Sequence, residues 1–181
     1  MTRDQFEHAM RAAGAVLDVD EVIVIGSQAL HGTVEGELPE EAERSIEVDV
    51  AIRGDAEGRM ADLLDGSIGE TSMFHHTFGY YARGVTEATA RLPRGWRDRL
   101  VRFETPGTAG VAALCLEVHD LWISKGIAGR PKDVEFCRAL ADRHLVKEEV
   151  LEERLGTVPD LDPKVRSAVA ARIEAIRTQA T

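Results

Sequence analysis

Residues 22–27, Val22-Ile23-Val24-Ile25-Gly26-Ser27, and residues 45–52, Ser45-Ile46-Glu47-Val48-Asp49-Val50-Ala51-Ile52, set the architecture between them. β-Branched side chains lose freedom in a helix and fit a pleated strand, so residues 22–25 read as a short buried strand ended by Gly26. Ser27-Gln28-Ala29-Leu30 then starts a short helix. In the second stretch Ile46, Val48, Val50 and Ile52 alternate with Ser45, Glu47, Asp49 and Ala51. Side chains alternate across a strand, so this one has an apolar face and a face carrying two acids.

Working outward, Thr2-Arg3-Asp4-Gln5 fits a capping box, and Phe6, Met10 and Ala13 recur at helical spacing in an opening helix of some three turns. Residues 33–44, acidic around Pro39, read as a loop. A helix is expected near 56–65, with Met60, Leu63 and Leu64 as its apolar side. Strands and loops are expected over 71–104, with a short strand near 100–103. After Gly110 the pattern reads as helical throughout. Leu114, Val118, Leu121 and Trp122 form one stripe, and Val134, Cys137, Leu140 and Ala141 the next. Asp162-Pro163 starts a final helix through Val165, Val169, Ile173 and Ile176.

With 181 residues and 44% apolar content, the chain has room for one domain or a domain with a small appendage. No run is long enough to span a membrane, the first residues lack an apolar signal core, and Cys115 and Cys137 read as reduced core residues. These features point to a cytoplasmic protein with no membrane partner. The net charge of −10 argues against a general nucleic-acid coat. Residues 1–70 carry 17 acids and 5 bases, whereas 71–181 carry 15 acids and 17 bases, which leaves room for a basic surface.

The chemistry begins at Gly26-Ser27. Backbone N–H groups and a hydroxyl at a helix start suit phosphate, and glycine admits it close to the backbone. Glu47 and Asp49, on one strand face with Cα atoms roughly 7 Å apart, suit a hard cation. Mg²⁺ is the expected ion, with Mn²⁺ as a substitute, and an NTP the expected substrate. Alone, each feature has a bland explanation as a turn or a solvated strand edge. Their order and spacing make the pair informative.

Lys125 lies on the apolar stripe, three and four residues after Trp122 and Leu121, and Asp133 precedes Cys137 by four. Charge on a buried face requires a partner or an anionic ligand. One account is a Lys125–Asp133 or Arg130–Asp133 salt bridge. The other has Lys125 neutralising a triphosphate while Arg130 assists or caps the helix.

Residues 83–102 hold six arginines against Glu87 and Asp98, with Trp96 among them and Tyr80 and Tyr81 just before. Arg91, Arg94, Trp96, Arg97 and Arg99 are candidate RNA contacts, the alternative being a solvated ribbon overlain by arginine side chains. His75-His76 lacks further ligands at zinc spacing and reads as a strand-surface pair. Glu148, Glu149, Glu152 and Glu153 read as an exposed helix face.

Gly26-Ser27 followed by Ser45-x-Glu47-x-Asp49 resembles the signature of the DNA polymerase β-like nucleotidyltransferase fold. Gly84-Val85, Leu92-Pro93-Arg94-Gly95-Trp96, Arg99-Leu100, Leu116-Glu117-x-x-Asp120-Leu121, Lys125 and Ala128-Gly129-Arg130-x-Lys132-Asp133 narrow the likeness. Together they resemble the AbiEii-type bacterial toxin nucleotidyltransferases, including the MenT group, over about residues 20–145. That resemblance implies a toxin with a cognate antitoxin protein, which moves a pyrimidine nucleotide from an NTP to the 3′ end of tRNA and blocks translation. It implies triphosphate contacts from Gly26, Ser27, Lys125 and Arg130, metal ligation by Glu47 and Asp49, and catalytic roles for Glu47, Asp49, Lys125 and Asp133. Two departures stand out: Glu47 takes a place where Asp is commoner, and the sequence identifies no third strand carboxylate.

The expected architecture is α+β. A polymerase β-like core, a small mixed sheet with helices, spans 1–108, and a helical subdomain closing the active-site cleft spans 109–181. The alternative functions are transfer to a small molecule of aminoglycoside type, transfer to a protein hydroxyl, and a non-catalytic, partner-controlled regulator on the same fold.

Overall fold

A computed structural model describes residues 1–179, and side chains as far as Ile176. The chain divides into two compact units, Met1–Thr89 with Leu100–Leu116, and Ala90–Arg99 with the chain from Glu117 onward. No helix among the described residues is long and apolar enough to cross a membrane.

The first unit opens with α1 (Arg3–Leu17), where Thr2 and Gln5 exchange both capping-box hydrogen bonds. This helix buries Phe6, Ala9, Met10, Ala13 and Leu17. Then come β1 (Glu21–Val24), a 3₁₀ turn at Ser27–Ala29, α2 (Leu30–Thr33), α3 (Glu40–Glu43) and β2 (Glu47–Ala51). They are followed by α4 (Arg59–Ile68), α5 (Met73–Phe78), β3 (Tyr81–Val85), β4 (Val101–Phe103) and β5 (Ala112–Cys115). The strands form one mixed sheet in the order β3-β2-β1-β5-β4. β1 runs antiparallel to β2, with Ile23 opposite Ala51 and Val24 opposite Val50, and parallel to β5. β3 is parallel to β2, and β4 antiparallel to β5. Because β1 ends where its antiparallel neighbour begins, Gly26 and Ser27 arrive at the same sheet end as Glu47 and Asp49.

Three sequence expectations are corrected. Residues 112–115, expected in a helical stripe with Leu114, form a strand in the sheet between β1 and β4. Val111-Ala112-Ala113-Leu114-Cys115-Leu116 is a short continuous apolar run, and periodicity alone cannot separate a buried strand from a helix there. Residues 73–78, expected as strand and loop, form α5. The Ser72 hydroxyl caps it by accepting from the His75 N–H at 3.2 Å, and Gly79, at φ 78°, ends it in the left-handed conformation. His75 and His76 therefore sit on a helix rather than a strand. In α4 the apolar side is Ala61, Leu64 and Ile68, while Leu63 is exposed.

The second unit consists of α6 (Val118–Ala128), α7 (Pro131–Asp142), α8 (Glu148–Gly156) and α9 (Pro163–Gln179), with the segment 90–99. Its core is built by Leu121, Trp122, Ile123, Phe136, Leu140, Leu151, Val169 and Ile173. The Trp122 indole N–H is satisfied by the Cys137 carbonyl at 3.0 Å. Gly129, at φ 64°, ends α6, and Pro131 stands at the start of α7. Both cysteines are buried free thiols, and burial pushes each up to about 12. A mixed five-stranded sheet with helices, followed by C-terminal helices, is an α+β arrangement consistent with a polymerase β-like core.

Candidate active site

In the first unit the site is assembled around β2. The Ser45 hydroxyl accepts from the Glu47 N–H at 3.3 Å and donates to the Glu47 carbonyl at 3.0 Å, which fixes the entry of the strand. The Ile25 N–H donates to the Asp49 carbonyl at 3.1 Å, extending the β1–β2 pairing up to Gly26. At φ −86° and ψ −169°, Gly26 has a backbone any residue adopts. A Cβ there would lie 2.3 Å from Asp49 Oδ2, so any larger residue requires the Asp49 carboxylate to turn away. The Asp49 carboxylate thus packs directly against the Gly26 backbone.

Ser27, half-buried, follows at the start of the 3₁₀ turn. The turn and α2 are short, so the helix dipole the sequence suggested is weak here. Two residues that the sequence did not single out hold this turn. Gln28 is fully buried and donates to the Ala42 carbonyl at 2.8 Å, while its oxygen meets His31 Nε2 at 3.1 Å. Burial depresses the His31 imidazole to about 4, so the ring is neutral.

Glu47 is engaged from β3. In the sheet register Tyr81 stands opposite Glu47, and Arg83 opposite Asp49. The Tyr81 hydroxyl donates to Glu47 Oε2 at 2.9 Å, and Arg83 Nη1 lies 3.9 Å from Oε1. Burial, then the Glu47 hydrogen bond and charge, raise the Tyr81 hydroxyl far above its ordinary pKa, so it remains a donor. β3, Tyr-Ala-Arg-Gly-Val, carries no carboxylate, so the strand beside the two acids contributes a phenol and a guanidinium instead. The sequence placed Tyr81 and Arg83 beside or within an arginine-rich run, and strand pairing reassigns both to the acids. As a donor set, two carboxylates from alternate positions of one strand are hard oxygen ligands, and both are half-exposed, which fits a Mg²⁺-type ion.

In the second unit Lys125, Arg130 and Asp133 meet. Asp133, 2% exposed, accepts from Arg130 Nε at 2.5 Å and Nη2 at 3.2 Å, and Lys125 Nζ lies 3.6 Å from its Oδ1. Burial pushes the Asp133 carboxyl up, but the Arg130 hydrogen bond and the two cationic charges outweigh it and hold it below the usual carboxylate range. Lys125 also lies 5.8 Å from the Phe136 ring centre. Both salt bridges read from the sequence therefore form. The cluster carries one more positive charge than negative, and the Arg130 side chain remains 59% exposed.

The segment 90–99 is tied to the helices of its own unit. Arg99 makes a bidentate pair with the fully buried Asp120, at 2.8 and 2.9 Å, and Arg154 Nε lies 3.4 Å from the same carboxylate. Trp96 is buried with the Arg97 guanidinium 4.7 Å over its ring, while Arg91, Arg94 and Arg97 are exposed. Among the described residues, Glu148, Glu152 and Glu174 bring ligand atoms within 4.8 Å of one another on solvent-facing helix surfaces, away in sequence from the residues considered above.

A profile described as "Nucleotidyltransferase of unknown function (DUF6036)" matches residues 5–166. Neither the curated proteins nor the solved structures yield a match. With its Gly-Ser turn packed against a Glu-x-Asp strand and a profile match over most of its length, the chain belongs to this family of nucleotidyltransferases.

Proposed function

We propose that the chain is a Mg²⁺-dependent nucleotidyltransferase toxin that adds a pyrimidine nucleotide from an NTP to the 3′ end of tRNA, under the control of a cognate antitoxin. The observation that carries nucleotidyl transfer is the contact of Gly26 with Asp49, two residues beyond Glu47. Glu47 and Asp49 would hold the metal, with Mn²⁺ as an alternative. Gly26 and Ser27 bind the triphosphate, and the resemblance adds Lys125 and Arg130 as phosphate contacts. Asp133, buried between those two cations, braces them. The acceptor hydroxyl attacks the α-phosphorus, a new P–O bond forms, the bond to pyrophosphate breaks, and the hydroxyl proton passes to solvent. When bound, such an ion would supply charge neutralisation on the phosphates and would lower the pKa of the attacking hydroxyl.

The toxin assignment is supported by the likeness of the Lys125…Ala128-Gly129-Arg130-x-Lys132-Asp133 segment to AbiEii-type enzymes. Expression beside Asp49→Ala tests it: growth arrest with wild type alone, and tRNA lengthened at its 3′ end, is the expected result. Arrest by the variant as well removes catalysis as the cause.

A second reading, transfer to a small molecule or a protein hydroxyl, is favoured by the segment 90–99, because Trp96 is buried and Arg99 is committed to Asp120. Those residues then hold the helices together rather than an RNA, and label moves to the smaller acceptor in the same reaction.

A further inference from the structure

We propose that Tyr81 is a positioning residue for Glu47: it ties down Oε2 and so presents Oε1 as the metal-ligating oxygen. This rests on the reading of Glu47 and Asp49 as the cation-holding pair. Glutamate has one more rotatable bond than aspartate, and fixing it costs more side-chain entropy. A cation of Mg²⁺ type demands near-ideal oxygen geometry, so a mobile Glu is a poor ligand unless something else orders it.

The structure supplies that order from the adjacent strand. Tyr81 is the register partner of Glu47, its hydroxyl reaches Oε2 at 2.9 Å, and its ring is buried. The His75 ring on α5 packs 4.8 Å from the Tyr81 ring, so the phenol is itself held in place. Oε1 is ion-paired with the half-exposed Arg83 at 3.9 Å, longer than a hydrogen bond, so a divalent cation binding there displaces this guanidinium while Tyr81 keeps Oε2 in place. A tyrosine that merely satisfied its own hydroxyl would affect stability and leave metal affinity alone.

The test is Mn²⁺ binding to the full chain, read by electron paramagnetic resonance, with and without a non-hydrolysable NTP analogue. Wild type is compared with Tyr81→Phe, Glu47→Gln, Asp49→Ala and the Tyr81→Phe/Glu47→Gln double variant, each checked by thermal melting. Outer-shell partners of metal ligands typically contribute at least tenfold, so Tyr81→Phe is expected to weaken Mn²⁺ binding about tenfold. In the Glu47→Gln background it is expected to add nothing. Wild-type affinity in Tyr81→Phe, with affinity lost in Asp49→Ala, overturns the positioning role and leaves the cation pair standing. Equal affinity in wild type and Asp49→Ala, or no binding by wild type, overturns both.

Discussion

Gly26 and Asp49 are in such close contact that a β-carbon on the first would lie 2.3 Å from Oδ2 of the second. Real Cβ–oxygen contacts do not reach that distance, so any side chain at 26 must move the Asp49 carboxylate or the turn that carries Ser27. The glycine proposed to admit a phosphate thus also seats one of the two acids. The Gly26-Ser27 turn and the Glu47-x-Asp49 strand are thus coupled through one missing methyl group.

Gly26→Ala is therefore expected to lower kcat/KM about 100-fold, the scale of a misplacement of about 1 Å at a reacting centre. The backbone at φ −86° accepts alanine, so the variant folds. Steady-state kinetics beside a thermal melt check this, and full activity would contradict it.

Asp133→Asn leaves Lys125 and Arg130 without their shared anion in a half-buried cluster. Stability is expected to fall by about 2 kcal/mol, below the roughly 3–5 kcal/mol for breaking a fully buried pair because Arg130 reaches solvent. Activity is expected to fall further than Arg130→Ala alone brings about. Denaturant unfolding and kinetics on the two variants give the comparison.

His31 sets an acid limit. Its folded pKa of about 4 lies below the unfolded value of 6.5, owing first to burial. The unfolded chain therefore binds the proton first, and stability falls as pH drops from about 6.5 to about 4, by about 3 kcal/mol for this group. His31→Gln is expected to flatten the pH profile of unfolding free energy across that window. An unchanged slope would contradict the assignment.

Arg94→Glu with Arg97→Glu separates the two acceptor classes. Both side chains are exposed, so the fold is retained. Transfer to tRNA is expected to fall at least tenfold and to recover partly at low salt, since phosphate contacts set the affinity. Transfer to a small acceptor is expected to be unaffected. Equal rates on tRNA for wild type and variant would remove this surface from the account.

How far the sequence alone carried depends on the element. β1 and β2 were legible because β-branched runs and strict alternation have one physical reading, and Thr2 and Gln5 announced α1. β5 was not legible: Ala112, Ala113 and Leu114 are good helix formers, and burial in mid-sheet overrides that preference. α5 was hidden because Phe74, Phe78 and the following tyrosines favour strands, while its cap, Ser72, and its stop, Gly79, lie outside the aromatic pattern. At the site, Gly26, Glu47 and Asp49 came from local spacing. Tyr81 and Arg83 required the β2–β3 register, which no local pattern reveals, and they looked instead like part of an arginine-rich surface. Lys125 and Asp133 were conspicuous as charges on apolar stripes, and their pairing follows from that same misfit.

The most direct measurement incubates the purified protein with Mg²⁺, each α-labelled NTP in turn, and total tRNA, beside folded Asp49→Ala. The account predicts label at the tRNA 3′ end with wild type alone, with a pyrimidine nucleotide favoured. Label transferred equally by Asp49→Ala, or no label on any acceptor from folded wild type, would contradict it.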